Sequence, residues 1–241
     1  MNEAQLHQES KYFQKLQVYL REFVYGGIDG AVTTFAVVAG GFGADLNTGV
    51  IIILGFANLL ADGFSMSVGA YLSAKSDKEN YKKHESIEYW EVENLPDAER
   101  KEIKAIYKAK GFEGDLLEKV VDQITANKDL WVAEMMKDEL NLMEETKSPF
   151  KIGAATFGSF LLVGFIPLLV YLWTFFNPSD INIFAWTSIL TGLAFVVIGA
   201  LKSIVNQTSA LKSIAETVGL GLLAAIVAYY VGDILENFFI K

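Results

Sequence analysis

The chain has 241 residues, of which 52% are hydrophobic and 20% are charged, and its mean hydropathy is +0.30. This composition is too apolar for an ordinary soluble domain of this length. The net charge of −9 argues against a nucleic-acid-binding protein, which would carry a basic surface, and the absence of cysteine excludes disulfides and thiolate metal sites.

The first 22 residues are polar and mixed in charge, and they lack the positively charged start and short apolar core of a cleaved signal peptide. Leu16, Tyr19, Leu20 and Phe23 follow one another at helical spacing. Residues 1–22 are therefore predicted to form an amphipathic lead-in on the cytosolic side.

Five apolar stretches follow, and each is predicted to cross a bilayer as a helix, which requires about 20 apolar residues. They cover residues 23–44, 46–74, 152–176, 181–201 and 217–232. Because the last stretch is short, we expect it to extend past Glu216 or Asp233. Buried helices of a soluble protein are the alternative, and the uncharged length of the third and fourth stretches argues against it. The predicted fold class is an all-α membrane protein with five transmembrane helices.

Charge is concentrated between the second and third spans, where residues 75–151 hold 14 of the 20 Lys and Arg and 19 of the 29 Asp and Glu. The connections near residues 45–47 and 177–182 have no Lys or Arg. The positive-inside rule therefore places the N-terminus and the polar insert in the cytoplasm, and an odd number of spans leaves the C-terminus on the far side. The pattern does not distinguish a plasma membrane from a vacuole-type membrane.

The predicted organisation has four parts. They are the lead-in (1–22), transmembrane helices one and two (23–74), a cytoplasmic helical domain (75–150) and transmembrane helices three to five (151–241). Four helices are predicted in the insert, over residues 75–92, 97–110, 113–125 and 128–147, and the first of them continues the second span.

Polar and sulfur-bearing side chains interrupt the first two spans. Asp29 lies in the first, and Asn58, Asp62 and Met66 lie in the second at a spacing of four residues, so that they share one helix face. Asp29 and Met66 are each about six residues from the cytoplasmic end of their helix, which predicts a common depth of ~9 Å. Ionisable residues at membrane depth are costly and usually functional, and oxygen donors beside a thioether favour a divalent transition metal. The alternative is that both acids are structural and that Met66 fills a gap in the packing.

The insert carries pairs of glutamates at i, i+3 spacing, Glu88 with Glu91 and Glu99 with Glu102. Each pair shares a helix face, where like charges repel unless a cation bridges them. Met135, Met136 and Glu139 lie within an arc of about 100° on the last predicted helix. These residues are predicted to bind metal, with a solvated acidic face as the alternative.

The motifs IDGAVTTFAVVAG in the first span and LADGFSM in the second, together with the Glu-rich helical insert, resemble the vacuolar iron transporter family. The resemblance runs from about residue 21 to the C-terminus. It implies a five-span homodimer that exports Fe²⁺, and often Mn²⁺, from the cytosol with proton exchange. It also implies that the family's two Glu pairs and its Met-Met-x-x-Glu cluster collect metal between two subunits. The corresponding residues are Glu88, Glu91, Glu99, Glu102, Met135, Met136 and Glu139.

Two positions depart from the pattern of the family. Many relatives carry a carboxylate where this chain has Asn58, and an amide cannot take up or release a proton. Asp62 in turn stands where relatives have an apolar or thioether residue, so we hypothesise that the carboxylate has moved one turn along the helix. The resemblance therefore does not extend to proton coupling through position 58.

Two other classes of function are weighed against transport. A membrane-tethered ferritin-like protein that oxidises iron would use Glu-x-x-His pairs, yet neither His7 nor His84 stands three residues after a glutamate. A metal sensor or scaffold would not need acids inside the spans. The prediction is therefore a transporter rather than an enzyme, without a prosthetic group. Its cargo is Fe²⁺ or another divalent transition metal (Mn²⁺, Co²⁺ or Zn²⁺), and its partners are the lipid bilayer and a second copy of the chain.

Overall fold

The computed structural model describes residues 18–239, and within this range the chain is helical and has no β-strand. Its helices are α1 (Leu20–Gly43), α2 (Thr48–Asn94), α3 (Pro96–Ala109), α4 (Gly114–Thr125), α5 (Lys128–Asp138), α6 (Pro149–Gly164), α7 (Ile166–Phe176), α8 (Ile183–Asn206) and α9 (Ala210–Phe239). The predicted lead-in falls mostly on residues 1–17, which lie outside the described residues.

The helices belong to two compact units. Among the described residues, one unit comprises those up to Leu72 together with those from Lys147 onward, and the other comprises Ser73–Thr146. Helix α2 is continuous over 47 residues and contributes its first part to one unit and its second part to the other. This continuity confirms the expectation that the charged residues 75–92 extend the second span without a break.

The first unit contains the apolar helices. Four of them, α1, α2, α8 and α9, are each long and apolar enough to cross a membrane, and α6 with α7 reaches that length as a bent pair. The described residues thus contain four or five candidate spans at the predicted places. As expected for the last stretch, α9 extends beyond both Glu216 and Asp233.

The third apolar stretch is broken rather than straight. Helix α6 ends at Gly164, α7 begins at Ile166, and the two are bent by 46°. Pro167 explains the break, because proline has no N–H for the preceding turn and its ring clashes with that turn. The N–H of Leu168 donates instead to the carbonyl of Phe165, at 3.0 Å.

Helix α1 approaches α6 very closely at Gly30. A Cβ atom on Gly30 would overlap the backbone of Phe160, and a Cβ atom on Gly164 would lie 2.7 Å from the carbonyl oxygen of Gly30. Glycine at such contacts lets transmembrane helices pack backbone to backbone. Because successive residues on a helix point about 100° apart, Asp29 is left on a different face of α1.

The second unit is a small helical bundle with its own apolar core. The buried core residues are Val92, Ile103, Leu117, Val121, Ile124, Trp131, Val132, Met135 and Met136. They come from the end of α2 and from α3, α4 and α5, whose apolar residues recur at helical spacing.

The last helix of this unit is shorter than predicted. We expected a helix over residues 128–147, but α5 ends at Asp138. Leu140 and Leu142 both pack against the core, which residues two apart on a helix cannot do because they face opposite sides. The chain turns instead, with Asn141 in the left-handed region at φ 53° and the N–H of Leu142 bonded to the carbonyl of Met136.

Candidate metal sites

Three glutamates of the second unit converge on one point. Glu88 and Glu91 lie one turn apart on α2, and Glu99 lies in the first turn of α3. One carboxylate oxygen from each lies within 4.8 Å of the other two. Two oxygens that share a divalent metal at ~2.0–2.4 Å are separated by at most about twice that distance, so the spacing fits one ion.

The cluster is buried, although its members are acidic. Glu88 is 3% exposed and Glu99 is 4% exposed. In each of them the Oε2 atom is buried and accepts no hydrogen bond within the described part of the chain. A buried carboxylate oxygen without a partner is costly and rare, and an ion is one of the few explanations for it.

Burial and mutual repulsion raise the pKa of these carboxyls. Desolvation, followed by repulsion from Glu139, Glu91 and Glu102, raises the pKa of Glu88 to about 7. Desolvation, followed by repulsion from Glu102, Glu88, Glu91 and Glu139, raises the pKa of Glu99 to about 7. The pKa of Glu139 is also raised, by desolvation and then by Glu102 and Glu91. The five predicted glutamates therefore form one electrostatic cluster.

No lysine or arginine compensates this charge among the described residues. Four cations of the unit pair with acids outside the cluster: Arg100 with Asp122, Lys104 with Glu118, Lys110 with Asp138 and Lys128 with Glu93. None of the ion pairs formed by residues 18–239 includes a member of the cluster. A set of five acids without a counter-cation can bind a divalent cation from solution, and Glu88, Glu91 and Glu99 have the geometry to hold it.

The two predicted methionine ligands lie in the apolar core of the same unit. Met135 is 0% exposed and Met136 is 1% exposed, and both pack among the core residues of α2–α5. Glu102 and Glu139 are exposed at the surface. The structure thus gives Met135 and Met136 a packing role, and their role as ligands stays a prediction.

In the first unit, Asp29 and Met66 line one open groove. The groove has a volume of about 970 Å³, and its remaining walls come from α1 and from an apolar face of α9. Its polar or sulfur-bearing residues are Tyr25, Asp29 and Met66, and the other lining residues are aliphatic. A cation that entered the groove would meet one carboxylate, one phenol and one thioether.

The other two residues of the predicted stripe lie deeper along α2. Asp62 is close enough for its carboxylate to repel that of Asp29. The Nδ2 atom of Asn58 is buried and has no hydrogen-bond partner in the described residues. Neither Asp62 nor Asn58 lines the groove. The structure therefore brings Asp29 close to Met66 and to the charge of Asp62. Asn58 lies one helical turn beyond Asp62 on α2.

Tyr25 and the wall from α9 were not predicted from the sequence. Tyr25 is one turn before Asp29 on α1, and its hydroxyl accepts a hydrogen bond of 3.1 Å from the side chain of Asn206. The i, i+4 spacing with Asp29 could have indicated it. The contribution of α9, including Leu220 and Val227, depends on packing between distant parts of the chain and leaves no local signal.

Comparison with known proteins identifies the family. The sequence profile described as the VIT family matches residues 20–233. The chain belongs to the VIT family. It is 34% identical to the "Vacuolar iron transporter" of Toxoplasma gondii over 225 residues, which are 90% of this chain and 74% of that protein.

Plant relatives cover even more of the chain. It is 31% identical over 237 residues to the "Vacuolar iron transporter 1" of Tulipa gesneriana, with 98% of this chain and 94% of that protein covered. It is 28% identical over 236 residues to the protein of the same name from Arabidopsis thaliana, with 96% and 91% covered. Membership of the VIT family and the apolar helices together make the chain an integral membrane protein, and the names of its relatives support metal transport.

Proposed function

We propose that this VIT-family chain exports Fe²⁺ from the cytosol across a membrane, and that Mn²⁺ is a second cargo. The observation that carries the proposal is the buried carboxylate cluster of Glu88, Glu91 and Glu99, which lacks a counter-cation among the described residues. The names of the relatives supply the identity of the metal.

The first step is capture of the ion by the glutamate cluster. The three convergent carboxylates supply hard oxygen donors, and Glu102 and Glu139 add negative charge that attracts the ion. Binding of the ion relieves the repulsion among the carboxylates of the metal-free cluster. Because the carboxyls must be ionised to coordinate the ion, capture is favoured at neutral and alkaline pH.

The second step is passage through the membrane along the groove that contains Asp29 and Met66. The carboxylate compensates the charge of the ion, and the thioether favours transition metals over Ca²⁺ or Mg²⁺. Asp62 and then Asn58 continue this path along the face of α2. Asp29 and Asp62 are the groups able to exchange a proton against the ion, since the amide of Asn58 cannot.

The remaining parts of the proposal concern topology and assembly. The N-terminus and the insert of residues 75–150 lie in the cytoplasm, as the distribution of Lys and Arg indicates. The chain works as a homodimer, as its resemblance to the vacuolar iron transporter family implies. The four-part organisation with boundaries after residues 22, 74 and 150 belongs to the same proposal.

Uptake measurements with the purified chain in proteoliposomes test the proposal. Fe²⁺ and Mn²⁺ should enter the lumen of vesicles in which the insert faces outward, and an opposing pH gradient should accelerate entry if protons are exchanged. Binding without uptake would contradict transport. A ferritin-like oxidase, the alternative, would instead consume O₂ while converting Fe²⁺ to Fe³⁺ in detergent solution.

A further inference from the structure

A cavity with a partly charged wall lies in the first unit, and it shares no lining residue with the groove of Asp29. It has a volume of about 440 Å³, and two cationic side chains, Arg21 and Lys147, contribute to its wall. The proposed transport path does not use either residue.

The cavity lies where three helices enter or leave the apolar part of the unit. Arg21 precedes the first apolar stretch by two residues, Lys147 precedes α6 by two residues, and Gln207, which also lines the cavity, follows the last residue of α8. Residues at the ends of transmembrane helices lie at the level of the lipid headgroups, where phosphate groups are concentrated.

The cationic side chains of the cavity favour an anion. The Nζ atom of Lys147 pairs with Glu22 at 2.9 Å, and this ion pair fixes Lys147 at the wall. Arg21 makes no hydrogen bond or ion pair with any residue that the structure describes. Arg21 and Lys147 place two cationic side chains at this wall, and a phosphodiester carries the opposite charge. The planar guanidinium of arginine can donate two parallel hydrogen bonds to such a group.

The rest of the wall favours an amphiphile over a small soluble anion. Leu20, Ile204 and Val205 line the cavity beside the two cations. Ile204 is 55% exposed, so an apolar surface remains for a ligand to cover. A phospholipid has both parts that this wall requires, a phosphodiester and an adjoining apolar chain.

We propose that this cavity is a binding site for the phosphodiester headgroup of an anionic phospholipid, held by Arg21 and Lys147. The lipid bridges the start of α1, the start of α6 and the end of α8 at one membrane surface. The site is independent of the metal path, and it is tested without measuring transport.

Native mass spectrometry of the full chain in detergent, with added phosphatidylglycerol or phosphatidylcholine, measures the fraction of protein that retains lipid. We expect phosphatidylglycerol to be retained preferentially, and Arg21→Gln to lower its retention by about fivefold. Lys212→Gln is the matched control, because Lys212 is an exposed cation in the first turn of α9 and does not line the cavity. It should retain the lipid like the unchanged chain.

Equal retention by Arg21→Gln and Lys212→Gln would overturn the proposal. Displacement of phosphatidylglycerol by inorganic phosphate or glycerol 3-phosphate would overturn the lipid assignment and indicate a site for a soluble anion. Gln207→Glu keeps the test decisive if Arg21→Gln does not fold, because it places a negative charge in the same cavity. It should lower retention as well, and unchanged retention would count against the site.

Discussion

At the scale of single residues, the acidic cluster of the second unit combines burial with uncompensated charge. Glu88 and Glu99 are almost fully buried, and desolvation is the largest cause of their raised pKa values. A carboxylate that served only to stabilise the fold would be expected in surroundings that favour its charged form. The metal-free cluster should therefore destabilise the protein, and this effect can be measured.

Glu88→Gln should stabilise the metal-free protein at pH 8. The pKa of Glu88 is about 7 in the folded chain against 4.5 for the free group, so its ionisation in the fold costs up to about 3 kcal/mol, which the neutral amide avoids. Thermal unfolding of the full chain in detergent with a chelator measures this change. Glu118→Gln, which removes an exposed and paired carboxylate, is the control and should not raise the melting temperature. A lower melting temperature for Glu88→Gln than for the unchanged chain would contradict the conclusion that the charge of Glu88 destabilises the metal-free fold.

The unchanged metal-free chain should lose stability as the pH rises from about 4.5 to about 7. Folded Glu88 and Glu99 hold their protons over this window while the unfolded chain releases them, so the folded state binds more protons there. The slope should disappear above pH 8, where both states are ionised. Melting temperatures measured across this range test the direction of the change. The Glu88→Gln/Glu99→Gln double variant is the control, because it keeps all the other acidic residues. A double variant with the same slope as the unchanged chain would contradict the assignment.

Metal affinity should have the opposite dependence on pH. Because two ligands with pKa values of about 7 must lose their protons, affinity for Mn²⁺ or Co²⁺ should fall roughly several hundredfold between pH 7.5 and pH 5.5. Isothermal titration of the full chain at several pH values measures the affinity. An affinity that did not change with pH would exclude Glu88 and Glu99 as ligands.

At the scale of helices, the packing of α1 against α6 leaves Asp29 on another face of α1, where it lines the groove. Glycine makes this approach possible at Gly30, whereas Gly158 of α6 has open space around the position of a Cβ atom. The two glycines therefore separate the effect of close packing from the effect of glycine on helix stability.

Gly30→Ala should lower the melting temperature, because the added methyl group overlaps the backbone of Phe160, and overpacking of this kind costs about 1–3 kcal/mol. Gly158→Ala should leave the melting temperature unchanged or raise it slightly, since alanine favours a helix more than glycine does. Thermal unfolding in one detergent compares the two variants. Equal effects would show that the contact between α1 and α6 is not tight.

On α2, the hypothesis of a relocated carboxylate makes Asp62 the essential member of the stripe. Asp62→Asn should lose most of the metal flux in proteoliposomes, because it removes the second negative charge near Asp29. Asn58→Ala should keep most of the flux. The reverse result would reject the relocation and return the path to position 58.

Prediction from the sequence succeeded where the signal was local. Uncharged length located the apolar helices, and i, i+3 spacing identified Glu88 and Glu91 as neighbours. It failed where the chain responds to distant contacts: α5 ends early because Leu140 and Leu142 both turn to the core. Pro167 was visible in the sequence, and its break in the third stretch could have been predicted from proline's missing N–H.

At the scale of the whole molecule, the two units divide the proposed work. The unit of Ser73–Thr146 contains the glutamate cluster proposed to capture the ion, and the other unit contains the groove of Asp29 and Met66 proposed as its path. Neither site alone makes a transporter, because capture without a path gives a metal-binding protein and a path without capture gives slow flux at low metal concentration. Variants of each unit should therefore fail in different ways.

Glu91→Gln should raise the metal concentration needed for half-maximal flux while leaving the maximal rate largely intact. It removes one of the three convergent carboxylates of the proposed capture cluster and leaves the groove unchanged. Initial rates of Mn²⁺ uptake over a range of concentrations separate the two parameters. A loss of maximal rate alone would contradict the division of roles between the units.

The most direct test of the account is metal flux through the chain with Asp29 replaced. Proteoliposomes containing Asp29→Ala should show no Fe²⁺ or Mn²⁺ uptake above empty vesicles, because no carboxylate then faces the ion in the groove. Asp180→Ala, an exposed acid in the connection between α7 and α8, should transport like the unchanged chain. Undiminished flux through Asp29→Ala would contradict the proposed path.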